Sequence, residues 1–306
     1  MPASRRELFL AGIAGAAALP TRGLAQDPHQ AASMQAIARR RIPSTGELLP
    51  VVGLGTSQTL DVDPVAENAD LVTVMREFLA LGGTLIDSSP MYRRAEAVVG
   101  ELLRRVGRDD VFYATKVWTK DGREAGIKQM QESAEKMGAK RIDLMQVHNL
   151  TGLDVQLATL EEWKAAGKIR YLGVTEMRDW ATVEKLMNER SLDFIQIPYS
   201  IGVRVVEERI LPTALDQGVA VLVMRPFERG ELFRKVQGKP LPAWAADFDC
   251  TSWAQFFLKW LLGHPAITCP IPATSKPHHL RDNMAAGVGR MPDAPTRKKM
   301  AELVLG

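Results

Sequence analysis

The sequence predicts an α/β fold in which eight parallel strands close into a (β/α)8 TIM barrel. Eight short runs rich in β-branched residues recur along the chain, each separated from the next by enough residues for a helix. The runs are almost continuously apolar, which is typical of parallel strands covered by helices. An open doubly wound sheet would carry a third glycine after its first strand, and segment 53–58 lacks it. Closure into a barrel is therefore favoured.

The elements can be assigned in chain order. The predicted strands are 51–55, 84–87, 111–117, 142–148, 171–174, 194–197, 219–223 and 267–271. Apolar residues at helical spacing predict helices that pack on the barrel, as in Leu71, Val74, Met75, Phe78 and Leu79, and in Trp253, Phe256, Phe257, Trp260 and Leu261. A turn at 43–46 predicts a short hairpin over 41–49 at one end of the fold, and a helix is expected at the C-terminus.

Composition narrows the class of partner. Of the 306 residues, 46% are hydrophobic and 25% charged, and the net charge of +3 is too small for a nucleic-acid-binding surface. The two cysteines, Cys250 and Cys269, form neither a disulfide framework nor a metal-binding motif. A small molecule is therefore the expected partner, and no metal site is expected.

The first 25 residues form a segment distinct from the predicted barrel. Arg5-Arg6 precede an apolar run over 8–19 and a small-residue site at Gly23-Leu24-Ala25, an order that resembles a twin-arginine signal peptide. The run is shorter than the roughly 20 residues of a membrane-spanning helix. We expect a signal at 1–25, a linker at 26–40, a barrel domain at 41–306 and a protein exported to the periplasm by the twin-arginine machinery. An amphipathic or disordered extension is the alternative.

Four polar residues lie at or just beyond predicted strand ends, where barrel enzymes carry their chemistry. Asp87 closes the second strand, Tyr92 follows in its loop, Lys116 is near the end of the third strand and His148 ends the fourth. Taken singly, they have simpler explanations: a turn cap, a rim aromatic, a lysine that reaches solvent and a buried imidazole.

Together, these four side chains suit the reduction of a carbonyl group. Hydride addition leaves negative charge on the carbonyl oxygen, which must be stabilised and protonated. Lys116 is expected to lower the pKa of the Tyr92 hydroxyl, and Asp87 to hold Lys116 charged and oriented. A neutral His148 can donate a second hydrogen bond to the oxygen.

Seven ordered motifs make the chain resemble the aldo/keto reductase family over nearly all of its length after the predicted signal. They are Val52-Gly53-Leu54-Gly55-Thr56, Ile86-Asp87-Ser88-Ser89-Pro90-Met91-Tyr92, Ala114-Thr115-Lys116, Ile142-Asp143-Leu144-Met145-Gln146-Val147-His148, Gly173-Val174-Thr175, Gln196-Ile197-Pro198-Tyr199-Ser200 and Ile271-Pro272-Ala273-Thr274-Ser275-Lys276-Pro277. The resemblance implies a catalytic tetrad: Tyr92 is the general acid, Lys116 and Asp87 modulate it, and His148 orients the substrate.

The resemblance also implies a nicotinamide cofactor across the top of the barrel. Tyr199 would stack on the nicotinamide ring, and Gln196 would bond its carboxamide. The other implied cofactor residues are Gly55, Thr56 and Thr175, then Arg225 and Pro226 in a loop over the pyrophosphate, Thr274, Ser275 and Lys276 around a phosphate, and Asp282 and Asn283 at the adenine. Hydroxyls, a cation and backbone N–H groups at a helix start describe a phosphate site, which favours NADP(H).

Several positions depart from the family pattern. Glu176 stands where a neutral amide that contacts the carboxamide is usual, and Ala273 and His279 replace a common lysine and arginine, so that the 2′-phosphate depends largely on Lys276. Arg93-Arg94 replace a common glycine after Tyr92, which suggests an acidic carbonyl substrate or simply solvated loop charges.

The predicted function is NADP(H)-dependent reduction of aldehydes or ketones to alcohols, with a small-molecule carbonyl as substrate. Two alternatives remain open. One is a non-catalytic or regulatory NADP-binding barrel, and the other is an exported enzyme whose tightly held cofactor cycles between two substrates.

Overall fold

Eight parallel strands form the centre of the molecule in a computed structural model that describes residues 36–63 and 68–306. The predicted signal at 1–25 and most of the predicted linker lie outside these residues. The strands are β3 (Leu54–Gly55), β4 (Leu85–Asp87), β5 (Phe112–Val117), β6 (Ile142–Val147), β7 (Ile169–Thr175), β8 (Phe194–Pro198), β9 (Ala220–Met224) and β10 (Ile267–Pro270), and each pairs in parallel with the next. Each falls on one of the eight runs predicted from the sequence.

The first and last strands meet and close the barrel. The N–H of Gly53 donates to the carbonyl of Pro270 over 3.0 Å, and Gly55 bonds Pro272 over 3.2 Å and bridges to Ala273. A Cβ at Gly55 would lie 2.5 Å from the carbonyl oxygen of Ile271, which is closer than a Cβ atom comes to a non-bonded neighbour in proteins. The glycine therefore allows the two backbones to come together.

Helices follow every strand of the barrel. They are α1 (Ala69–Ala80), α2 (Ala95–Val106), α3 (Gly122–Met137), α4 (Leu153–Ala165), α5 (Trp180–Glu189), α6 (Ile210–Asp216), α7 (Glu231–Lys235), α8 (Trp253–Leu262), α9 (Pro277–Ala285) and the C-terminal α10 (Ala294–Leu305). The predicted apolar stripe of α1 is buried throughout, and that of α8 is buried except for the half-buried Trp253. Both stripes pack in the core, as expected.

The N-terminal hairpin is confirmed, but the domain boundary is not. Strands β1 (Arg39–Arg41) and β2 (Leu48–Pro50) pair antiparallel. Ile37 is only 7% exposed, and the Arg40 guanidinium donates to carbonyl oxygens at the end of α8 and the start of β10. The prediction of a linker reaching residue 40 is therefore wrong at its C-terminal end, because its last residues are held by partners more than 220 positions away.

The structure also bears on membrane-spanning helices, metal-binding groups and the two cysteines. Within 36–63 and 68–306, no helix is long and apolar enough to cross a bilayer, and no group of three acidic, histidine or cysteine residues is placed to hold a metal ion. Cys250 and Cys269 are buried free thiols, and burial raises the pKa of both. They behave as small apolar core residues.

Candidate active site

The four predicted catalytic residues converge at the carboxyl ends of neighbouring strands. Asp87 is the last residue of β4, Lys116 is the penultimate residue of β5, and His148 directly follows β6. Tyr92 ends a single 3-10 turn, Pro90–Tyr92, that comes shortly after Asp87. Because β4, β5 and β6 pair in parallel, their carboxyl ends lie at one edge of the sheet. The four residues, which are spread over residues 87–148 in the sequence, therefore lie in one cluster.

A buried ion pair lies at the centre of the cluster. Lys116 Nζ is 2.7 Å from Asp87 Oδ2 and also donates to the carbonyl of Ser88 over 2.6 Å. Lys116 is 1% exposed and Asp87 2%. Burial opposes the charge on Lys116, but the Asp87 carboxylate and the neighbouring Tyr92 raise the lysine pKa above its ordinary value. Lys116 therefore stays protonated next to the Tyr92 ring.

Two glutamines complete the surroundings of the Asp87 carboxylate. Gln146 Nε2 donates to Oδ1 over 3.2 Å, and Gln196 Nε2 donates to Oδ2 over 3.0 Å. Because an ionised carboxylate only accepts, both amide nitrogens must face Asp87. Gln146 was not predicted as a site residue, although a polar side chain two positions before His148 in an apolar strand was an available signal.

Tyr92 lies against the lysine and the histidine. Lys116 Nζ is 5.1 Å from the centre of the Tyr92 ring, and the rings of Tyr92 and His148 meet edge-on with centres 5.8 Å apart. Burial raises the pKa of the Tyr92 hydroxyl above its ordinary value, and the charge of Lys116 only partly opposes that rise. Lys116 lowers this pKa as expected, but burial outweighs the lysine, so the pKa is raised on balance.

His148 is held as a neutral imidazole. Burial lowers the pKa of His148 to about 3, and the charge of Lys116 lowers it further. Nδ1 lies 2.9 Å from Ser89 Oγ, whereas no hydrogen bond within the described part of the chain involves Nε2. The ring can therefore act as a neutral hydrogen-bond donor, and its bond to a substrate oxygen stays a prediction.

Thr56 and Thr175 support the backbone of the cluster. Thr56 Oγ1 donates to the carbonyl of Asp87 and approaches Ser88 Oγ, each at 3.0 Å. Thr175 Oγ1 accepts the N–H of Asn149 over 3.0 Å, which fixes the turn after His148. Both threonines are buried. They were predicted as cofactor residues, and the structure adds a structural role for each.

The unusual Glu176 is directed at its own loop. Its Oε1 accepts the backbone N–H groups of Met177, Arg178 and Asp179 at 2.7, 2.9 and 3.3 Å. These three donors satisfy the carboxylate where it stands, just before α5. The acidic side chain therefore need not oppose a neutral ligand at the end of β7.

The glutamines provide an acceptor that fits a nicotinamide carboxamide. Gln196 Oε1 and Gln146 Oε1 are buried and have no hydrogen-bond partner among the described residues. Leaving a buried amide oxygen unsatisfied is costly, so a ligand N–H group would be bound favourably at such a position. The amide of a carboxamide supplies such a group, and the prediction for Gln196 fits this structure.

Comparison with known proteins shows which family the chain belongs to. The model of the aldo/keto reductase family matches residues 51–294. The chain belongs to the aldo/keto reductase family.

Relatives and solved structures of aldo/keto reductases agree with the fold. The NADH-specific methylglyoxal reductase of Escherichia coli is 26% identical over 86% of this chain and 98% of its own, and the methylglyoxal reductase YeaE of the same organism is 29% identical over 81% and 89%. A Klebsiella pneumoniae aldo/keto reductase in complex with NADP and acetate superposes with a TM-score of 0.72 at 23% identity, over 85% of this chain and 93% of that one. The holo form of a Bacillus halodurans aldo-keto reductase gives 0.73 at 22% identity, over 88% and 96%.

One predicted cofactor residue of this aldo/keto reductase is misplaced. Tyr199 is completely buried, and its ring packs on Trp260 and His264. Its hydroxyl donates to Glu207 over 2.5 Å and accepts from Arg297 over 2.7 Å. The predicted stacking on the nicotinamide ring is therefore wrong, because the Tyr199 side chain has no exposed surface and contacts Trp260, His264 and Arg297 instead.

The segment predicted to hold the cofactor phosphate lies just before α9. Thr274 Oγ1 accepts the N–H of Lys276 over 3.1 Å, and no side chain caps the start of α9. Lys276 Nζ lies 3.5 Å from Asp70 Oδ2, with both side chains more than half exposed. Ser275 is half-buried beside them. An anion would meet backbone N–H groups and a movable ammonium here.

The remaining residues predicted to bind the dinucleotide differ in exposure and in hydrogen bonding. Arg225 adopts a left-handed backbone conformation with φ of 54° and is exposed, and Pro226 next to it is buried. Asp282 accepts hydrogen bonds from Ser252 and Gln255, so it anchors the first turn of α8. Asn283 is almost completely buried. Their contacts with pyrophosphate and adenine stay predictions.

Proposed function

We propose that this aldo/keto reductase reduces aldehydes or ketones to alcohols by hydride transfer from NADP(H), with Tyr92 as the general acid. The observation that carries the proposal is the buried Lys116–Asp87 pair directly beneath Tyr92 and beside a neutral His148. Lys116 is buried, and its raised pKa keeps it protonated at neutral pH. It has a direct use where negative charge develops on oxygen.

The proton comes from the Tyr92 hydroxyl. Because the pKa of Tyr92 is raised, the hydroxyl stays protonated at neutral pH and can give its proton to the new alkoxide oxygen. The Lys116 ammonium stabilises the tyrosinate that remains, and Asp87 holds the ammonium in place. His148 donates a hydrogen bond to the same oxygen.

The nicotinamide cofactor would supply the hydride when bound. Gln196 Oε1 would accept the carboxamide N–H, and the Thr175 hydroxyl lies at the end of the adjacent strand β7. Asp87 engages the amide nitrogen of Gln196, so the amide oxygen is directed away from the carboxylate. These contacts would fix the face of the ring that meets the carbonyl.

The preference for NADP(H) is assigned to the segment before α9. Lys276 supplies the charge for a 2′-phosphate, and Thr274 and Ser275 supply hydroxyls. One relative is named as NADH-specific, so the cofactors must be compared directly. We expect kcat/KM for NADPH to exceed that for NADH, and the ratio to fall at least fivefold in Lys276→Ala. An unchanged ratio in the variant would assign the preference elsewhere.

The test of the reaction is cofactor oxidation by the full chain with a panel of carbonyl compounds. Methylglyoxal heads the panel because two relatives carry its name. Turnover should disappear in Tyr92→Phe. Tyr171→Phe is the matched control, since it removes a phenol bonded to Thr45 in the hairpin at the other end of the barrel. Cofactor binding without turnover in the parent chain would favour a regulatory barrel.

We also propose export for the segment outside the described residues. Arg5-Arg6, the apolar run and the small-residue site support a twin-arginine signal. Fractionation of a bacterial host should find the protein in the periplasm, and Arg5→Lys together with Arg6→Lys should retain it in the cytoplasm. Periplasmic recovery of the double variant would reject this route.

A further inference from the structure

We propose that Ser89 is a positioning residue that holds neutral His148 in the tautomer with its hydrogen on Nε2. Ser89 is completely buried and precedes the Pro90–Tyr92 turn. Its Oγ accepts the N–H of Met91 over 3.1 Å and lies 2.9 Å from His148 Nδ1. One hydroxyl therefore contacts both the turn that carries Tyr92 and the imidazole beside it.

Counting hydrogens decides the direction of the second bond. The Ser89 hydroxyl has one hydrogen to donate, and His148 Nδ1 is the acceptor that the structure provides for it within the described ranges. If Nδ1 carried the imidazole hydrogen, it would donate to Oγ, and the serine hydrogen would be buried without a partner. Unsatisfied buried donors are strongly disfavoured. Ser89 therefore donates to Nδ1.

The consequence falls on the opposite side of the ring. The imidazole is neutral, so a hydrogen excluded from Nδ1 must be on Nε2. Nε2 has no partner in the described part of the molecule, and the ring lies edge-on to Tyr92. The N–H group is thus available where the carbonyl oxygen meets Tyr92. With the other tautomer, Nε2 would present a lone pair to that oxygen and repel it.

Substitutions separate this role from the capping of the Tyr92 turn. Ser89→Ala removes both functions, and Ser89→Thr keeps both because threonine is also a good cap. Ser89→Asp keeps the cap but only accepts, so Nδ1 would have to carry the hydrogen. Ser88→Ala is the control, since Ser88 is an equally buried neighbour whose hydroxyl contacts Thr56 and not His148.

The decisive measurement is ¹⁵N NMR of the histidine rings in the full chain, without substrate. The resonances of His148 among the five histidines are identified by their loss in His148→Asn. We expect an unprotonated Nδ1 and a protonated Nε2 in the parent, Ser88→Ala and Ser89→Thr. The Nδ1–H form should become populated in Ser89→Ala and dominant in Ser89→Asp.

Two results would overturn the assignment: a protonated Nδ1 in the parent chain, or the same tautomer population in Ser89→Ala as in the parent. Neither depends on whether Ser89→Asp folds. The kinetic readout rests on the proposed function: kcat should fall about tenfold in Ser89→Ala and recover in Ser89→Thr, with the Kd for NADPH unchanged. Absence of turnover in every protein would reject the proposed reaction, whereas the NMR result would still decide the tautomer.

Discussion

Lys116 and Asp87 form an ion pair with 2.7 Å between nitrogen and oxygen, at a depth where neither side chain is more than 3% exposed. Such a pair is costly to break from one side, because the remaining charge stays buried. Lys116→Met should abolish turnover and lower the free energy of unfolding by about 3–5 kcal/mol.

The double variant Lys116→Met with Asp87→Asn removes both charges at once. It should recover most of the stability in urea unfolding but none of the activity, since the charge beneath Tyr92 is still absent. Recovery of turnover in the double variant would show that the pair is structural only.

The raised pKa of Tyr92 sets the pH dependence of the two directions of reaction. Reduction needs the protonated hydroxyl, which is present below the raised pKa, so kcat for reduction should stay flat from about pH 6 to pH 9. Alcohol oxidation needs the ionised form and should rise with pH over the same range. A fall in reduction near neutral pH would show that the hydroxyl ionises far more readily than its burial implies.

Gly55 is the point at which barrel closure tolerates no side chain. Gly55→Ala should lower the free energy of unfolding by about 1–3 kcal/mol, because its Cβ would collide with the carbonyl of Ile271. Gly53→Ala on the same segment is the milder comparison, since its nearest neighbours, led by a Leu85 methyl, lie at 3.0 Å or more. In thermal unfolding, Gly55→Ala should have a lower Tm than Gly53→Ala. The reverse order would contradict this account of barrel closure.

Glu96 gives the fold a pH dependence of its own. The side chain is completely buried on α2, accepts from Thr115 over 2.6 Å, and burial raises its pKa. A raised pKa means that its stability contribution is complete below pH 4.5 and is lost as the pH rises through the folded value. Glu96→Gln should remove this loss, so that stability between pH 5 and pH 8 falls less in the variant than in the parent.

Glu101 on the same helix is the matched control for this pH effect. Its side chain is 18% exposed, and hydrogen bonds from Arg104 and Arg105 lower its pKa to about 2. Its contribution to stability has the opposite pH dependence, because it is lost only as the pH falls towards the lowered pKa. Glu101→Gln should therefore leave the interval from pH 5 to pH 8 unchanged. The same slope in Glu96→Gln and the parent would exclude Glu96 as its source.

The strands and the four catalytic residues could be predicted because their signals are local. A run of β-branched residues ending in Asp87 or His148 defines both a strand and the position of its end. The burial of Tyr199 could not be predicted, since it depends on Trp260 and Arg297, which lie 60 to 100 positions later. The same holds for residues 37–40, because their partners Gly287 and the end of α8 lie more than 220 positions later in the chain. The net pKa of Tyr92 needed the extent of its burial, which no motif encodes.

All three side chains that bind the Asp87 carboxylate belong to strands: Lys116 to β5, Gln146 to β6 and Gln196 to β8. None of these three belongs to a loop of the carboxyl face. Exchanging the loops that carry neither Tyr92 nor His148, to retarget the protein to a new carbonyl compound, would therefore leave the acid and its support intact. The strands, the turn that carries Tyr92 and the residue His148 must be kept, and the remaining loops of the carboxyl face can be exchanged.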